Sequence, residues 1–220
     1  MPDQPNFLTR YWQMLRSPGS VPMWFVLTFG FLGGITYWGG FSTVLDATNS
    51  EQFCISCHTM KDNNYQEYTA SIHYKNRSGV RATCADCHVP HDWSSKMMRK
   101  VGAAKDVWGQ ITGVVSTPEK FEEHRLAMAT REWGRFRRDN SLACRNCHDA
   151  EHFDYTKQGD PGTYMHQYML EVGGFTCIDC HKGIAHTLPQ TPDLDRLVPA
   201  ELVREAEDRR DEVRSYLYDK

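Results

Sequence analysis

The chain has 220 residues and a formal net charge of −3; 40% of its residues are hydrophobic and 24% are charged. This length accommodates one compact domain and one additional short segment. The charge balance lacks the strongly basic surface of a typical nucleic-acid-binding protein, so no nucleic-acid partner is expected. The unusual part of the composition is its eight cysteines and ten histidines.

The first predicted element is a long apolar and aromatic segment. From Ser17 to Ala47 the only charged residue is Asp46. A signal peptide has a shorter apolar region and ends at a cleavage site of small residues, which this segment lacks. Residues 20–45 are therefore interpreted as an uncleaved helix that spans a membrane.

Two further features concern the arrangement of this segment. Arg10 and Arg16 precede it, and positively charged flanks stay in the cytoplasm, so residues 1–19 would form a cytoplasmic N-terminus. Gly30 and Gly34 form a GxxxG pair, which allows close helix pairing and is compatible with a homo-oligomer. An incidental glycine-rich stretch explains that pair equally well.

After the apolar segment, the sequence Cys-x-x-Cys-His occurs four times and uses all eight cysteines. This is the attachment signal of c-type haem: the two thiols bond to the porphyrin and the histidine faces the iron. A zinc site is the alternative, but zinc does not require a histidine after each cysteine pair. We therefore predict four covalently attached haems. The residues are Cys54, Cys57 and His58; Cys84, Cys87 and His88; Cys144, Cys147 and His148; and Cys177, Cys180 and His181.

The four motifs form two similar halves, residues 54–91 and 144–186. In each half ten residues separate a histidine from the second motif, and a further histidine follows that motif closely. Such a repeated spacing indicates a duplicated di-haem unit. The recurrent histidines are His73, His91, His166 and His186.

The recurrent histidines are the candidates for the second axial position on each iron. With the motif histidines they would fill all eight axial positions of four irons. His91 and His186 follow their motifs too closely to reach the opposite face of the same haem. By symmetry we expect the two halves to exchange ligands: His73 would serve the third haem, His91 the fourth, His166 the first and His186 the second.

Between the two halves lie two predicted helices, around Ser94–Thr112 and Pro118–Arg138, the second with a Thr-Pro-Glu start. No convincing alternating strand pattern occurs. The predicted fold class is therefore mainly α with much irregular structure, combining a single N-terminal transmembrane helix with a compact tetrahaem domain at residues 46–191. Residues 192–220 form a charged tail, interpreted as a solvated helix or a docking segment.

Several runs of the sequence resemble the NapC/NirT family of tetrahaem quinol dehydrogenases. They are CISCHTM at 54–60, HYKNRSGVRATCADCHVPH at 73–91, EHR at 123–125 and CIDCHKGIAH at 177–186. The resemblance covers roughly residues 10–190 and is closest to NapC-type members, because NrfH-type relatives lack a histidine at the position of His166. It implies a protein of the bacterial inner membrane with its haem domain in the periplasm. It also implies electron transfer from menaquinol or ubiquinol to a periplasmic reductase.

The same resemblance implies a special first haem. In NrfH-like relatives this haem is ligated by a methionine two residues beyond the motif, which matches Met60. An aspartate beside the quinol matches Asp106. A lysine of the same pocket matches Lys100, with Arg99 and Lys96 as neighbours.

Several residues therefore remain candidates for the axial ligands of the first haem. One face could be bound by His58 or Met60, and the other by His166, by Asp106 or by no residue. An open first haem would be high-spin and better placed to meet a quinol.

The expected function is that of a membrane-anchored quinol dehydrogenase. Bis-histidine irons have no open position for a substrate, which favours electron transfer over bond breaking. The expected partner is a periplasmic reductase, with nitrate reductase favoured. The alternatives are an electron donor to a nitrite or other periplasmic reductase, a nitrite or hydroxylamine reductase acting at an open haem, and an electron-storage cytochrome without quinol chemistry.

Overall fold

The computed structural model describes residues 6–16, 19, 22–159, 162–163, 165–170 and 174–190. Within these ranges the regular elements are helical and no strand occurs, which confirms the mainly helical fold class. The described residues fall into two compact units, with the boundary between Thr48 and Asn49. The charged tail predicted at 192–220 lies outside the described residues.

The N-terminal unit contains α1, Phe7–Arg16, and α2, Met23–Ala47. Helix α2 ends at Ala47 and is capped by Thr48, whose hydroxyl donates a hydrogen bond to the Leu45 carbonyl at 2.8 Å. Among the residues that the structure describes, no helix is both long enough and apolar enough to span a membrane. The helix itself is thus present where it was predicted, whereas its passage through a membrane is not confirmed.

The second unit combines short helical segments around the motifs with two long helices between the two halves. In chain order the elements are α3, Glu51–Cys54; a π-helical turn, Met60–Asn64; α4, Tyr65–Thr69; α5, Cys84–His88; α6, Trp93–Ile111; α7, Pro118–Arg138; α8, Leu142–Arg145; two 3₁₀ turns, Ala150–His152 and Tyr155–Lys157; a π-helical segment, Met165–Leu170; and α9, Cys177–Cys180.

The long helices α6 and α7 begin at residues that cap them. The Asp92 side chain accepts a hydrogen bond from the Ser95 N–H at 2.9 Å, and the Thr117 hydroxyl accepts one from the Lys120 N–H at 3.3 Å. Each bond satisfies a backbone donor that has no partner within its helix. Pro118 occupies the first position of α7, where no backbone N–H is needed. Both helices lie where the sequence predicted them.

The second motif of each half begins in the same way. Thr83 precedes α5 and Thr176 precedes α9, and each starts a capping box with the aspartate three residues later. Asp86 accepts a hydrogen bond from the Thr83 N–H at 2.7 Å, and Asp179 accepts one from the Thr176 N–H at 2.8 Å. The recurrence of this cap agrees with the duplication predicted from the histidine spacing.

The apolar core is small, and polar contacts join the parts of the second unit. The buried apolar side chains among the described residues are Tyr68, Phe121, Phe136, Phe175 and Ile178. Ser141, with 0% exposure, connects the third motif to the fourth. Its backbone N–H donates to the Phe136 carbonyl at 2.6 Å, and its hydroxyl accepts from the Ile178 N–H at 3.2 Å.

We expect Gly183→Ala to destabilise the protein more than Gly79→Ala. Both glycines have a left-handed backbone, with φ of +76° and +75° respectively, which costs a residue with a Cβ about 1–2 kcal/mol. A Cβ at Gly183 would also lie 2.8 Å from Leu188 Cγ, whereas one at Gly79 would meet nothing within 4 Å. This overpacking should add roughly 1–3 kcal/mol.

The measurement is the Tm of the haem-loaded variants, followed by far-ultraviolet circular dichroism. An equal loss of Tm in both variants would show that Leu188 moves aside at no cost, contrary to the expectation.

Candidate functional site

Successive motifs are neighbours in chain order, and we call this series of four the row of motifs. None of the eight cysteines is in a disulfide. The thiols of Cys54 and Cys84 lie close enough to shift each other's pKa, as do those of Cys144 and Cys177. Helices α5 and α8, which carry the second and third motifs, are also in contact. The first motif therefore adjoins the second, the second the third and the third the fourth.

Three pairs of imidazole rings lie close together, and each pair combines a motif histidine with a recurrent one. Within the described ranges, no three His, Cys, Asp or Glu side chains converge on one point. Imidazole nitrogens bind first-row metals at about 2 Å, so two facing rings fit one iron between them. The pairs, with the distances between ring centroids, are His73 and His148 at 6.2 Å, His88 and His186 at 6.1 Å, and His166 and His181 at 5.8 Å.

Two of these pairs agree with the predicted exchange of ligands and one does not. His73 lies at the third motif and His186 at the second, as expected. His166, predicted for the first motif, instead lies against His181, with 3.5 Å between their Nε2 atoms. His91, predicted for the fourth motif, is exposed in the turn before α6. The structure departs from the expected symmetry here because the π-helical segment Met165–Leu170 places its histidine beside the fourth motif, in its own half.

A polar side chain lies at Nδ1 of one ring in two of the pairs. His88 Nδ1 lies 3.4 Å from Glu132 Oε2, and His166 Nδ1 lies 2.5 Å from Gln158 Oε1. A partner at the outer nitrogen orients the ring, as in metal-ligating histidines, and Nε2 of His166 lies against Nε2 of His181. His186 Nδ1 is 3.7 Å from Glu67 Oε2, which is too far for a hydrogen bond.

Burial keeps two recurrent histidines in the neutral form. Burial, together with the nearby His88, lowers the pKa of His186 to about 4. Burial and the neighbouring His181 also lower the pKa of His166. A metal binds the neutral imidazole, so both shifts suit an axial ligand.

Helix α6 runs beside the first motif. The Gln110 side-chain amide donates a hydrogen bond to Nε2 of His58 at 3.0 Å. Asp106 lies one turn earlier and so on the same side of the helix as Gln110. A hydrogen bond from the Cys84 thiol and the charge of Lys100 lower the pKa of Cys54 to about 7, against the effect of burial. Lys100 therefore lies close to the first attachment cysteine.

These placements fit the expected pocket only in part. Asp106 is exposed, and Met60 begins the π-helical turn after the first motif. Gln110 was missed, because a single glutamine in a helix carries no sequence signal. Glu67, Glu132 and Gln158 were missed for the same reason.

The model of the NapC/NirT cytochrome c family, N-terminal region, matches residues 18–191. The chain belongs to this family. It is 50% identical over 192 residues to the cytochrome c-type protein NapC of Escherichia coli K12, which covers 87% of this chain and 96% of that protein. No solved structure matches the present chain.

Two further relatives support the same assignment. The denitrification system component NirT of Stutzerimonas stutzeri is 54% identical over 165 residues, covering 75% of this chain and 82% of that protein. A putative tetraheme cytochrome-c type protein of Allochromatium vinosum is 45% identical over 163 residues, covering 74% and 88%.

In this cytochrome, α7 connects the two halves through a buried ion pair. Arg125 bonds to Glu67 through two nitrogens, at 2.6 and 3.2 Å, and donates to the Thr187 carbonyl at 3.0 Å. Glu67 also accepts a hydrogen bond from the Thr187 N–H at 3.0 Å. The side chains of Arg125 and Glu67 are only 8% and 17% exposed. The pair holds the chain beside His186 against α4.

The C-terminal part of α7 holds the second and fourth motifs. Arg135 donates to the Cys87 carbonyl at 3.1 Å, and Arg137 donates to Asp179, the cap of α9, at 2.7 Å. These arginines belong to a basic cluster that sequence alone would assign equally to a solvated face. The structure gives both of them intramolecular partners.

Glu132, also on α7, supports the second motif from another side. It forms an ion pair with Arg99 at 3.0 Å, and Arg99 also donates to the His88 carbonyl at 3.1 Å. Burial opposes ionisation of Glu132, but His88, Arg99 and Arg135 outweigh it and hold its pKa well below the usual range. Arg99, expected beside the quinol pocket, is thus placed at the second motif.

Removing the buried arginine should destabilise the cytochrome strongly. We expect Arg125→Leu to lower the free energy of unfolding by roughly 3–5 kcal/mol, because Glu67 would keep a buried charge without its partner. The matched control is Lys157→Leu, whose pair with Asp154 is exposed and should contribute less than about 1 kcal/mol.

Urea unfolding followed by circular dichroism measures both variants. Similar midpoints for Arg125→Leu and the wild type would refute a supporting role for this pair.

Proposed function

We propose that this cytochrome is a membrane-associated quinol dehydrogenase that passes electrons through four haems to a periplasmic reductase. The observation that carries the proposal is the contact of α6 with the first motif, where Gln110 reaches His58 at 3.0 Å. This contact puts the candidate quinol residues, Asp106 and Lys100, on the helix that adjoins one end of the row of motifs. The N-terminal unit, with no charged residue from Ser17 until Asp46, would provide the membrane anchor.

The motif cysteines would attach the haems, and the facing histidines would ligate three of the irons. We assign His73 and His148 to the third haem, His88 and His186 to the second, and His166 and His181 to the fourth. Bound haem would supply one-electron chemistry, which the side chains themselves lack. The row of motifs supports a path from the first to the fourth.

The first motif is assigned differently. Its attachment side offers His58 or Met60, and its opposite side would be bound by Asp106 or by no residue, because His166 is engaged at His181. This arrangement supports the entry of electrons at the first motif.

Oxidation of a quinol to a quinone releases two electrons and two protons. We assign Asp106 as the acceptor of one proton from a quinol hydroxyl, since its exposed carboxylate can pass that proton on to water. The second proton would leave through solvent. The ammonium group of Lys100 would stabilise negative charge on the quinol oxygen as the proton departs.

The favoured electron acceptor is a periplasmic nitrate reductase. This choice rests on the 50% identity to NapC proteins over most of the chain. Transfer to a nitrite or another reductase is the alternative for the partner. Reduced cytochrome mixed with each purified reductase in turn tests the choice: rapid haem reoxidation should occur with the nitrate enzyme and nitrate.

A second candidate function is reduction of nitrite or hydroxylamine at the first haem. It is favoured by one observation, that His73, His166 and His186 all lie at other motifs. Turnover of nitrite by the purified chain alone would support it over quinol oxidation.

We expect Asp106→Asn to lower the rate of quinol oxidation by about 10²-fold or more, because the proton acceptor is lost. Lys100→Ala should also lower the rate of quinol oxidation. The absorption and EPR spectra of the haems should stay unchanged in both. The control is Glu151→Gln, which removes an exposed carboxylate in the second half.

The assay follows haem reduction by a soluble quinol analogue under anaerobic conditions. Wild-type rates in Asp106→Asn would exclude this residue as the proton acceptor.

The histidine assignment predicts different spectra for two substitutions. His166→Met should convert one low-spin bis-histidine signal to a histidine–methionine signal. His91→Met should leave all bis-histidine signals intact, because no haem is assigned to His91. Low-temperature EPR and near-infrared magnetic circular dichroism distinguish these ligand sets, and the reverse pattern would restore His91 as an axial ligand.

A further inference from the structure

Helix α6 has a second, apolar face that points away from the motifs. Val101, Trp108 and Ile111 are 78%, 65% and 72% exposed. Their separations of seven and three residues place them in one stripe along the helix, which Trp93 extends at its start. Large apolar side chains rarely form such a continuous exposed stripe unless something covers it.

The opposite side of the same helix contacts the motifs. Gln110 reaches His58, and Arg99 reaches the His88 carbonyl and Glu132. At 100° per residue, Trp108 lies about 160° around the helix from Gln110. The apolar stripe is therefore not the surface on which the cofactors would pack.

Charge and residue type indicate what covers the stripe. Helix α6 carries four basic residues, Lys96, Arg99, Lys100 and Lys105, and one acidic residue, Asp106. Lys100 and Lys105 lie on the two edges of the stripe by helical position. An apolar stripe with tryptophans, bordered by lysines, is typical of helices that lie in the interface of an anionic bilayer.

We propose that α6 lies on the surface of an anionic lipid bilayer, with Val101, Trp108 and Ile111 in the boundary between head groups and acyl chains. Lys105 contacts lipid phosphates at the edge. The same helix presents Asp106 and Gln110 to the first motif. A lipid-soluble quinol leaving the bilayer would thus meet the first motif within the width of one helix.

The role of this lipid contact in supplying quinol rests on the proposed function. The contact itself can be measured without any quinol turnover. The experiment uses the full-length, haem-loaded protein in nanodiscs of phosphatidylcholine with phosphatidylglycerol. A spin label is introduced as a non-canonical amino acid, one position at a time, so that the cysteines stay available for haem. Power saturation then compares collisions with oxygen, which concentrates in lipid, and with a water-soluble nickel complex.

Labels at Trp108 and Ile111 should collide more with oxygen than with nickel, and the label at Gly102 should show the reverse. Gly102 is the matched control, because it belongs to the same helix, lies away from the stripe and has open space for a side chain. Haem absorption verifies that each labelled protein is folded. Lys105→Gln should lower the oxygen preference at Trp108 in anionic nanodiscs and leave it unchanged in neutral ones.

Preference for nickel at all three positions would overturn the proposal. Low collision rates with both reagents, together with spin–spin broadening between copies, would assign the stripe to a second copy and also overturn it. Oxygen preference at the stripe combined with normal quinol oxidation by Asp106→Asn would keep the lipid contact and reject the proposed proton acceptor. The two proposals can therefore fail separately.

Unlabelled wild-type protein provides a second test. The α6 amides should exchange hydrogen more slowly in anionic than in neutral nanodiscs, and the amides of α7 should not differ. Equal exchange of α6 in both lipids would contradict the role of its lysines.

Discussion

The ion pair between Arg125 and Glu67 is the interaction on which the second unit depends. The unit has few buried apolar side chains, so its short helices cannot be held in place by a conventional core. Arg125 contacts α4 from the first half and the Thr187 backbone from the second half. Two charges at such low exposure are favourable only when their hydrogen bonds are nearly all made, and here they are. One residue of α7 thereby joins α4 to the chain that directly follows the second half.

The other charged residues of α7 also hold parts of the unit together through polar contacts. Glu132, Arg135 and Arg137 contact the second and fourth motifs through His88, a backbone carbonyl and a capping aspartate. Two of the histidine pairs are therefore positioned from outside, by Glu132 at His88 Nδ1 and by Gln158 at His166 Nδ1. Such outer partners orient metal ligands and are part of the design of a metal site. A rigid helix is suited to this role because its side chains keep a constant spacing.

Helix α6 has two different faces. One face contacts the first two motifs through Gln110 and Arg99, and the other exposes an apolar stripe bordered by lysines. In the proposed function these faces serve one purpose, since a quinol must move from lipid to a redox centre. The first motif differs from the other three in one respect: the structure places the Gln110 amide rather than a second imidazole at its histidine.

The sequence by itself determined the chemistry of this protein and its local structure. Cys-x-x-Cys-His predicts a haem attachment point without any tertiary information, because the bonding atoms are all within five residues. The caps at Asp92 and Thr117 define where α6 and α7 begin, because capping is also a local interaction. The repeated histidine spacing indicated the duplication and matched His73 and His186 to the motifs beside which they lie.

The tertiary structure alone decided which groups meet across long separations. His166 could reach the first or the fourth motif with the same spacing, and only the folding of residues 165–170 onto the fourth motif distinguishes the two. The partners of His88 and His58, namely Glu132 and Gln110, are ordinary polar residues of helices, and no pattern marks them. Their roles depend on the packing of α4, α6 and α7 against the motifs. That packing comes from contacts between residues far apart in the chain, which local sequence does not encode.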